Sequence, residues 1–326
     1  MASPASISDE FRKVFATAAG ASGVLSFDRY MDLALYHPAV GYYRKERPRV
    51  GLNDQSDFFT ASSLGEIFGE LITAACVELV GADRVQQLSF VEIGAESSSG
   101  ILGGLPSPFK ETRTCRVGEP LELEGPCVVF SNELFDAQPF RRFVRRENTW
   151  RELGVALLDG QLSEVEFDGA IPTVLPQESL NGYVIDLPMA SVALMEKIAR
   201  LPWTGLLIAC DYGKSWRELT EACPFGTARA YYRHQQSNDL LARPGEQDLT
   251  CHVCWDWLTA CLEQNGFSAP AVETHEAFFI RHATSLIAQT SAAEAHRFSR
   301  RKNALMQLLH PAHLGQKFQV LHAQRE

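Results

Sequence analysis

Long apolar runs are missing from this chain, which has nothing near the roughly 20 consecutive apolar residues that a membrane-spanning helix needs. The first thirteen residues also lack the apolar core of a secretory signal. Asp9 and Glu10 disfavour an organellar transit peptide, because such peptides are poor in acidic residues. We therefore expect neither a membrane span nor a cleaved leader.

The chain also has fewer basic than acidic residues. Lysine and arginine number 30 against 40 acidic residues, which gives a formal net charge of −10. A nucleic-acid-binding protein needs a basic face for the phosphates, so nucleic acid is not expected as a main partner. A basic protein substrate would be compatible with this charge.

Metal-site and serine-hydrolase motifs are also scarce. Cys251-His252-Val253-Cys254 suggests zinc, but a structural zinc needs four ligands, usually as two separated pairs, and no second pair follows at a suitable spacing. The nucleophile motif G-x-S-x-G is absent. We predict no metal site. The eight cysteines are scattered in mostly apolar contexts, as expected of buried free thiols in a reducing cytoplasm.

The spacing of apolar residues alternates between helical and strand-like. Helical periodicity covers residues 8–19, 26–36, 64–80, 191–200, about 252–265 and 292–309. Apolar strand candidates are Leu88–Ile93, Thr114–Val117, Cys127–Ser131, Gly182–Leu187 and Gly205–Cys210. Several are continuous apolar runs, which favours a parallel sheet covered on both faces. His37-Pro38 ends the second helix, since the residue before proline avoids the α region.

The remaining segments complete a single predicted domain. Residues 141–167 form a hairpin with Asp159-Gly160 as its turn, and residues 214–250 form an irregular insert. We expect a helical layer over about residues 1–80, a sheet core over 85–213 and C-terminal helices and strands over 251–326.

The stretch from Phe90 to Gly100 resembles the start of a nucleotide-type cofactor site. An apolar strand ends in Glu92 and Gly94, and a loop of small residues follows. Such a loop usually reads G-x-G-x-G, because glycines let the backbone approach the ligand. Here Glu96 and three serines occupy the loop after Gly94. Glu92 and Gly94 are therefore predicted cofactor-binding residues in an unusual loop.

Glu119 follows the next strand candidate, 25 residues after Gly94. A carboxylate roughly 20 residues beyond the glycine turn is where ribose hydroxyls are bound in doubly wound folds. Glu119 is therefore a third predicted cofactor residue, with a structural turn beside Pro120 as the alternative.

Polar side chains cluster where the strand Cys127–Ser131 ends. Ligands of open α/β sheets bind outside the carboxyl ends of the strands. Asn132 can orient a substrate nitrogen, and Glu133 with Asp136 can hold a guanidinium through paired charge-assisted bonds. The alternative is a helix that begins here, with Ser131 or Asn132 as its N-cap.

Asp211 and Tyr212 repeat this pattern after the strand Gly205–Cys210, and we expect them to line the same face. The blocks Gly226–Tyr231 and Pro244–Val253 follow in a polar region. Taken singly, these later blocks are loops with scattered charge.

Together these motifs resemble the MidA-like S-adenosylmethionine-dependent methyltransferases, whose mitochondrial members methylate an arginine of a respiratory complex I subunit during assembly. The resemblance spans about residues 20–322. It is carried by Tyr30–Pro38 with Gly41-Tyr42-Tyr43, Asp57–Ser62, Phe68–Leu71, the block Asn132–Pro139 (N-E-L-F-D-A-Q-P), Asp211-Tyr212-Gly213, Gly226–Tyr231, Pro244–His252 and Leu308–Leu321.

The resemblance implies a class I (Rossmann-like) methyltransferase sheet with an N-terminal helical extension and an inserted substrate-covering segment. It implies S-adenosylmethionine as cofactor, adds Ser62 to the cofactor-binding residues, and gives Asn132, Glu133, Asp136, Asp211 and Tyr212 catalytic roles. A protein substrate follows by analogy, with a respiratory-complex subunit as one candidate. Because the similarity starts close to Met1, a bacterial cytoplasmic protein is expected.

Two departures from the family leave a second hypothesis open. The family's loop G-P-G-x-G-T is replaced by Gly94–Gly100, where Glu96 adds a negative charge near the cofactor carboxylate. Only 12 residues separate Glu119 from Asn132, too few for a helix and a strand, so an edge strand near the adenine is expected to be missing. The two hypotheses are an arginine methyltransferase and a non-catalytic relative that binds or assembles proteins. An acidic scaffold unrelated to methyl transfer is a third hypothesis, which the block Asn132–Pro139 disfavours.

Overall fold

The computed structural model describes residues 7–45, 61–296 and 299–326. The described helices are α1 Asp9–Ala19, α2 Phe27–Tyr36, α3 Glu66–Val80, α4 Ala82–Val85, α5 Met189–Arg200, α6 Trp216–Glu221, α7 Trp255–Gln264, α8 His275–His282, α9 Thr284–Ala293 and α10 Arg300–Leu309. The described strands are β1 Val24–Ser26, β2 Ser89–Ile93, β3 Glu111–Cys115, β4 Gly125–Asn132, β5 Arg141–Arg146, β6 Thr149–Leu158, β7 Gln161–Phe167, β8 Val184–Leu187, β9 Trp203–Asp211, β10 Gly213–Lys214, β11 Arg229–Tyr232, β12 Gln235–Ser237, β13 Asp248–Thr250, β14 Val253–Cys254, β15 Ser268–Thr274 and β16 Gln319–Arg325.

Contacts divide the chain into two compact units, which we name by their main sheets. The mixed-sheet unit comprises Phe59–Leu134, Leu194–Gly213 and Trp255–Glu326. The antiparallel-sheet unit comprises Met1–Phe58, Phe135–Ala193 and Lys214–Cys254. The assignment of the whole chain to one domain stays a prediction.

The mixed-sheet unit is built on six strands in the order β15-β16-β9-β4-β2-β3. The strands β3, β2, β4 and β9 are parallel, whereas β16 and β15 run antiparallel to their neighbours. Ile93 lies opposite Cys115 and Ser131, and Ser131 lies opposite Ala209. The carboxyl ends of the four parallel strands therefore lie at the same edge.

Aromatic packing holds α3 against this sheet. All five residues of β2 are buried, as expected for a strand covered on both faces. Phe90 stacks on Phe130 with ring centroids 5.7 Å apart, and Phe68 of α3 meets Phe130 edge-on at 6.2 Å. The apolar face predicted for α3 is thus confirmed as part of the core.

The N-terminal helices belong to the antiparallel-sheet unit, whose main sheet has the order β1-β6-β5-β8 with β7 also paired to β6. Phe27 of α2 stacks on Phe140 at 5.5 Å, and the Tyr30 hydroxyl donates to the Leu240 carbonyl at 3.1 Å. The helix ends at Tyr36, and His37 is extended, as predicted from the following proline.

The predicted hairpin over residues 141–167 is a three-stranded meander instead. The turn at Asp159-Gly160 is confirmed, and both residues have positive φ, 48° and 77°. A second turn at Glu147, with φ 49°, separates β5 from β6. The sequence has no glycine at that turn, so the prediction missed it.

Three further expectations need correction. The strand predicted at Gly182–Leu187 pairs antiparallel with β5, because an apolar run does not reveal which sheet it joins. The insert at 214–250 is not irregular, since it contains α6 and the small sheet β12-β11-β13. The single helix predicted over 292–309 is replaced by α9, which ends at Ala293, and α10, which begins at Arg300.

The connection from β3 to β4 agrees with its predicted shortness. Residues 116–124, all of them described, contain a turn and a bend but neither helix nor strand. Among the described strands none pairs with the outer edge of β3. The additional edge strand that the resemblance implied, and that was expected to be missing here, is therefore not found in the described part of the chain.

Gly205 allows a close backbone approach inside the parallel sheet. Its φ is +122°, and a Cβ there would lie 2.1 Å from the Cys127 carbonyl oxygen. Gly205→Ala combines a disallowed backbone angle with overpacking, so we expect it to lower the free energy of unfolding by about 3 kcal/mol or more.

The matched control is Gly104→Ala, because Gly104 also has a positive φ of +81°, but a Cβ there would meet no atom within 4 Å. We expect a loss of about 1 kcal/mol for this control. Urea unfolding of both variants measures the difference, and equal losses would contradict the close approach.

Candidate functional site

The strand order marks the edge of the mixed sheet at which a ligand crevice is expected. Along the chain β2 comes first, yet its neighbours are β3 on one side and β4 on the other. The chain runs from β2 to β3 on one side and then crosses back to β4 on the other side of β2. Such a reversal is the switch point where open α/β sheets bind ligands. Each of the four parallel strands ends in or near a predicted site residue.

Glu92 is the penultimate residue of β2 and is 7% exposed. Its Oε2 accepts a hydrogen bond from the Ile101 amide at 2.7 Å. A Cβ on Gly100 would lie 2.2 Å from the same oxygen, so only glycine lets the loop cover this carboxylate. Burial raises the pKa of Glu92 to about 7, the Ile101 hydrogen bond opposes the shift, and the charge of Glu96 adds to it.

The loop after β2 is held by its own polar groups. The Gly100 amide donates to the Ser97 hydroxyl at 3.2 Å, and the Thr114 hydroxyl donates to the Ser98 carbonyl at 3.3 Å. The Ser97 side chain therefore helps close the turn, and the Thr114 side chain joins the loop to β3.

Gly94 is the turn residue that a cofactor loop requires. It has φ +80°, and its amide donates to the Cys115 carbonyl at 2.8 Å. A Cβ at this position would lie 2.9 Å from Leu134 Cδ1. The position therefore needs glycine both for its backbone angle and for the close approach of Leu134.

Glu119 lies in the turn after β3, the strand next to β2. Its Oε2 accepts a hydrogen bond from the Arg116 amide at 2.7 Å, and the side chain is otherwise exposed. The turn that the sequence suggested is thus present, and the carboxylate lies beyond the carboxyl end of β3.

Asn132 and Glu133 lie at the end of β4. The Glu133 amide donates to the Cys210 carbonyl of β9 at 2.9 Å, and Glu133 has a positive φ of 51°. The Asn132 Nδ2 donates to Glu133 Oε1 at 3.0 Å, while Asn132 Oδ1 is buried without a hydrogen-bond partner. Such a buried acceptor, in a residue beside a strained backbone, is a feature found at ligand sites.

The helix that Ser131 or Asn132 was expected to cap is not there. Residues 133–140, all described, form bends and turns. The polar residues at the end of β4 therefore do not serve as an N-cap.

Asp211 and Tyr212 end the fourth strand, β9. Asp211 is fully buried, and its Oδ1 accepts a hydrogen bond from the Tyr212 amide at 2.9 Å. The Tyr212 ring lies 3.9 Å from the Phe318 ring, centroid to centroid. This pair fixes the direction in which the chain leaves the sheet.

The block Asn132–Pro139 is divided between the two units after Leu134. In the antiparallel-sheet unit, three successive carbonyls of Phe135, Asp136 and Ala137 accept hydrogen bonds from Ser191, Cys251 and Tyr36 at 2.7–2.8 Å. Asp136 itself is 2% exposed. Its role in the same site as Glu133 stays a prediction.

Ser62 falls in a short 3-10 helix, Ala61–Leu64, and its side chain lies outside the described part of the chain. The family-like segment Asp57–Ser62 lies mostly outside it as well. The cofactor role of Ser62 stays a prediction.

The sequence analysis did not single out Asp186, a buried carboxylate that is bound by residues of the block Gly226–Tyr231. Asp186 is 2% exposed, and its Oδ2 accepts hydrogen bonds from the Thr227 and Ala228 amides at 2.7 and 2.8 Å. A Cβ on Gly226 would lie 2.3 Å from this oxygen, and Arg142 pairs with the other oxygen at 2.6 Å. The block is therefore a carboxylate cage inside the antiparallel-sheet unit, and no local signal marks Asp186 as its centre.

One cavity in the antiparallel-sheet unit contains none of the predicted site residues. It has a volume of about 730 Å³ and lies beside α1 and α2. Asp28, Arg29, Asp32 and His37 contribute its polar lining.

The comparisons with known proteins agree on one family. A family profile described as "Putative S-adenosyl-L-methionine-dependent methyltransferase" matches residues 116–272. The mitochondrial protein arginine methyltransferase NDUFAF7 of Danio rerio is 26% identical over 316 residues, covering 78% of this chain and 72% of the relative. The human protein of that name is 22% identical, covering 78% and 69%.

A solved structure shares the fold. A crystal structure from Burkholderia thailandensis with S-adenosylhomocysteine bound superimposes with a TM-score of 0.85 at 24% identity, covering 97% of this chain and 91% of that one. The predicted resemblance to this group of methyltransferases is confirmed, and so is the class I methyltransferase-like α/β fold. Within the described residues no helix is long and apolar enough to cross a membrane.

The raised pKa of Glu92 makes the stability of the chain depend on pH. Its ordinary pKa is 4.5 and its folded pKa is about 7, so the native state holds the proton more tightly than the unfolded state does. Stability is therefore lost as pH rises from about 4.5 to about 7. Glu92→Gln removes this titration and keeps an acceptor for Ile101.

As pH rises through this window, we expect the free energy of unfolding of Glu92→Gln to increase relative to that of the native sequence, by up to about 3 kcal/mol. Urea unfolding at pH 4.5 and pH 8 measures the gain. Glu122→Gln, at an exposed glutamate, is the control and should show no such growth. A pH-independent difference for Glu92→Gln would contradict the buried carboxylate.

Proposed function

We propose that this chain is an S-adenosylmethionine-dependent methyltransferase and that it transfers the methyl group to an arginine side chain of a protein. The observation that carries the proposal is the acidic edge of the mixed sheet. Glu92, Glu119, Glu133 and Asp211 supply one carboxylate in or just after each parallel strand. A crevice lined by one sign of charge concentrates ligands of the other sign, here a sulfonium and a guanidinium.

The cofactor side of the proposal concerns Glu92, Gly94, Glu119 and Ser62. S-adenosylmethionine supplies an electrophilic methyl group on a positively charged sulfonium when it is bound. Gly94 leaves room for a close backbone approach, Glu119 stands where ribose hydroxyls bind in doubly wound folds, and Glu92 backs the loop. Glu92, Gly94 and Glu119 fit the cofactor, although Glu96 opposes its carboxylate, and the role of Ser62 rests on the family resemblance.

The acceptor side concerns the end of β4. Asn132 holds the Glu133 carboxylate through its Nδ2, and its own buried Oδ1 remains able to accept a bond from a guanidinium N–H. A carboxylate and an amide oxygen together fix a planar guanidinium better than either does alone. We assign Asp211 and Tyr212 to the same acceptor face, while the catalytic role of Asp136 rests on the family resemblance alone.

The carboxylate also accounts for the proton. Transfer of a methyl group to a guanidinium nitrogen forms one C–N bond, breaks one C–S bond and releases one proton. In this proposal Glu133 accepts that proton as general base. The remaining rate acceleration comes from alignment of the guanidinium nitrogen with the methyl group, since an in-line displacement depends on positioning.

Cofactor binding is the first test. We expect calorimetric titration of S-adenosylmethionine to give micromolar affinity, and Gly94→Val to weaken it at least tenfold, because the new side chain meets Leu134 and blocks the backbone approach. Gly104→Val is the matched control, since Gly104 shares the positive φ but has open space around it.

If the native chain binds nothing up to millimolar concentration, the methyltransferase proposal fails and the non-catalytic relative is favoured. Equal affinity in both valine variants would remove Gly94 from the cofactor site.

Methyl transfer itself is the second test. We expect tritium from labelled S-adenosylmethionine to enter protein of a cell extract as methylarginine, identified by mass spectrometry. Glu133→Gln should reduce the rate at least a hundredfold, within the range of a lost general base, with little change in cofactor affinity. Glu122→Gln serves again as control, because Glu122 is exposed.

Label in lysine or histidine would exclude arginine as the acceptor while keeping the enzyme. Cofactor binding without any transfer would favour the non-catalytic relative, which keeps its partner surface.

A protein partner in a bacterial cytoplasm is part of the same proposal, with a respiratory-complex subunit as one candidate by family resemblance. The eight free cysteines support a reducing compartment. The net charge of −10 supports a basic substrate.

A further inference from the structure

Glu273, His282 and His322 lie close together on the side of the mixed sheet formed by its two antiparallel strands, β15 and β16. The Nε2 atom of His322 lies 3.1 Å from Glu273 Oε1, and the Nε2 atom of His282 lies 3.5 Å from the same oxygen. Candidate ligand atoms of the three residues all lie within 4.8 Å of one another. Their side chains are only 9–14% exposed.

Sheet register and one helix bring this group together. Ala271 of β15 lies opposite His322 of β16, so Glu273, two residues further along β15, projects from the same face as His322. The helix α8 follows β15 directly and ends at His282. The three residues are 9 and 40 positions apart in sequence, which is why no local motif revealed them.

The polar contacts of the group are incomplete. Arg281 forms an ion pair with Glu273 Oε2 at 2.6 Å, which leaves Oε1 facing the two imidazoles. His282 Nε2 is buried and has no hydrogen-bond partner. A buried imidazole nitrogen that faces a carboxylate but forms no hydrogen bond lowers stability unless a ligand binds it.

We propose that Glu273, His282 and His322 bind one zinc ion, through Oε1 and the two Nε2 atoms. Imidazole and carboxylate are ordinary zinc ligands, and a water molecule would complete the tetrahedron. Zinc–ligand bonds of about 2.0–2.1 Å place tetrahedral ligands about 3.3 Å apart. The two measured separations from Oε1, 3.1 and 3.5 Å, bracket that value.

A hydrogen bond between His322 and Glu273 without metal accounts for only part of the geometry. It explains the 3.1 Å separation but leaves His282 Nε2 buried without a partner. A zinc ion satisfies all three atoms and joins β15, β16 and α8. This site is independent of methyl transfer, and its expected role is to stabilise that end of the sheet.

The test uses the full chain without a histidine tag, treated with a chelator and titrated with zinc sulfate. We expect one zinc ion per chain, at least tenfold weaker binding in His282→Gln and in His322→Gln, and a rise in melting temperature on adding zinc to the native chain that these two variants do not show. His296→Gln, at an exposed histidine of the same unit, is the control and should behave as the native chain.

Cobalt substitution of the native chain gives a second measurement that does not depend on the variants. An intense visible spectrum of tetrahedral Co²⁺ supports the site. Failure of the native chain to bind zinc, or equal binding in all three variants, would overturn it. So would a cobalt spectrum typical of the hydrated ion.

Discussion

Parallel hydrogen bonding among β2, β4 and β9 is the constraint on which the candidate site depends. The register aligns Ile93 with Ser131 and Ser131 with Ala209, so the three strands end at one level. Residues that lie far apart in sequence thereby reach one edge, each just after its strand. Gly205 is part of this constraint, because its missing Cβ lets β9 approach the Cys127 carbonyl.

Acidic residues at this edge carry a cost as well as a use. Glu92 is buried under the loop that begins at Gly94, and the proximity of Glu96 makes its ionisation harder still. A carboxylate that is buried in this way lowers stability at neutral pH, so packing alone does not explain why Glu92 is an acid. Binding a cation in the crevice would relieve that cost, which links the electrostatics of the crevice to the ligand it is proposed to hold.

Local signals in the sequence predicted the elements well but not their partners. The strands near Glu92, Asn132 and Asp211 and the end of α2 at His37 were predicted within a few residues, since each has a strong apolar run or a proline to mark it. The prediction of the sheet to which Val184–Leu187 belongs was wrong. This strand pairs with β5, where the partner of Val184 is Val144, 40 positions earlier in the chain.

Long-range contacts limited the site prediction in the same way. The cage around Asp186 and the group at Glu273 are assembled by contacts between residues that no motif connects. The residues at strand ends were found only because a strand end is visible in the sequence itself.

The interleaving of the two units along the chain also sets the order in which they can be completed during synthesis. The antiparallel-sheet unit takes residues from three separate segments, and β1 waits for β6, whose partner residue Ala156 lies 132 positions after Val24. The mixed sheet waits longer still, since β16 lies between β9 and β15 and ends at Arg325. Until the chain has been synthesised as far as Arg325, β9 therefore lacks β16 as its neighbour, and its unpaired backbone edge stays exposed.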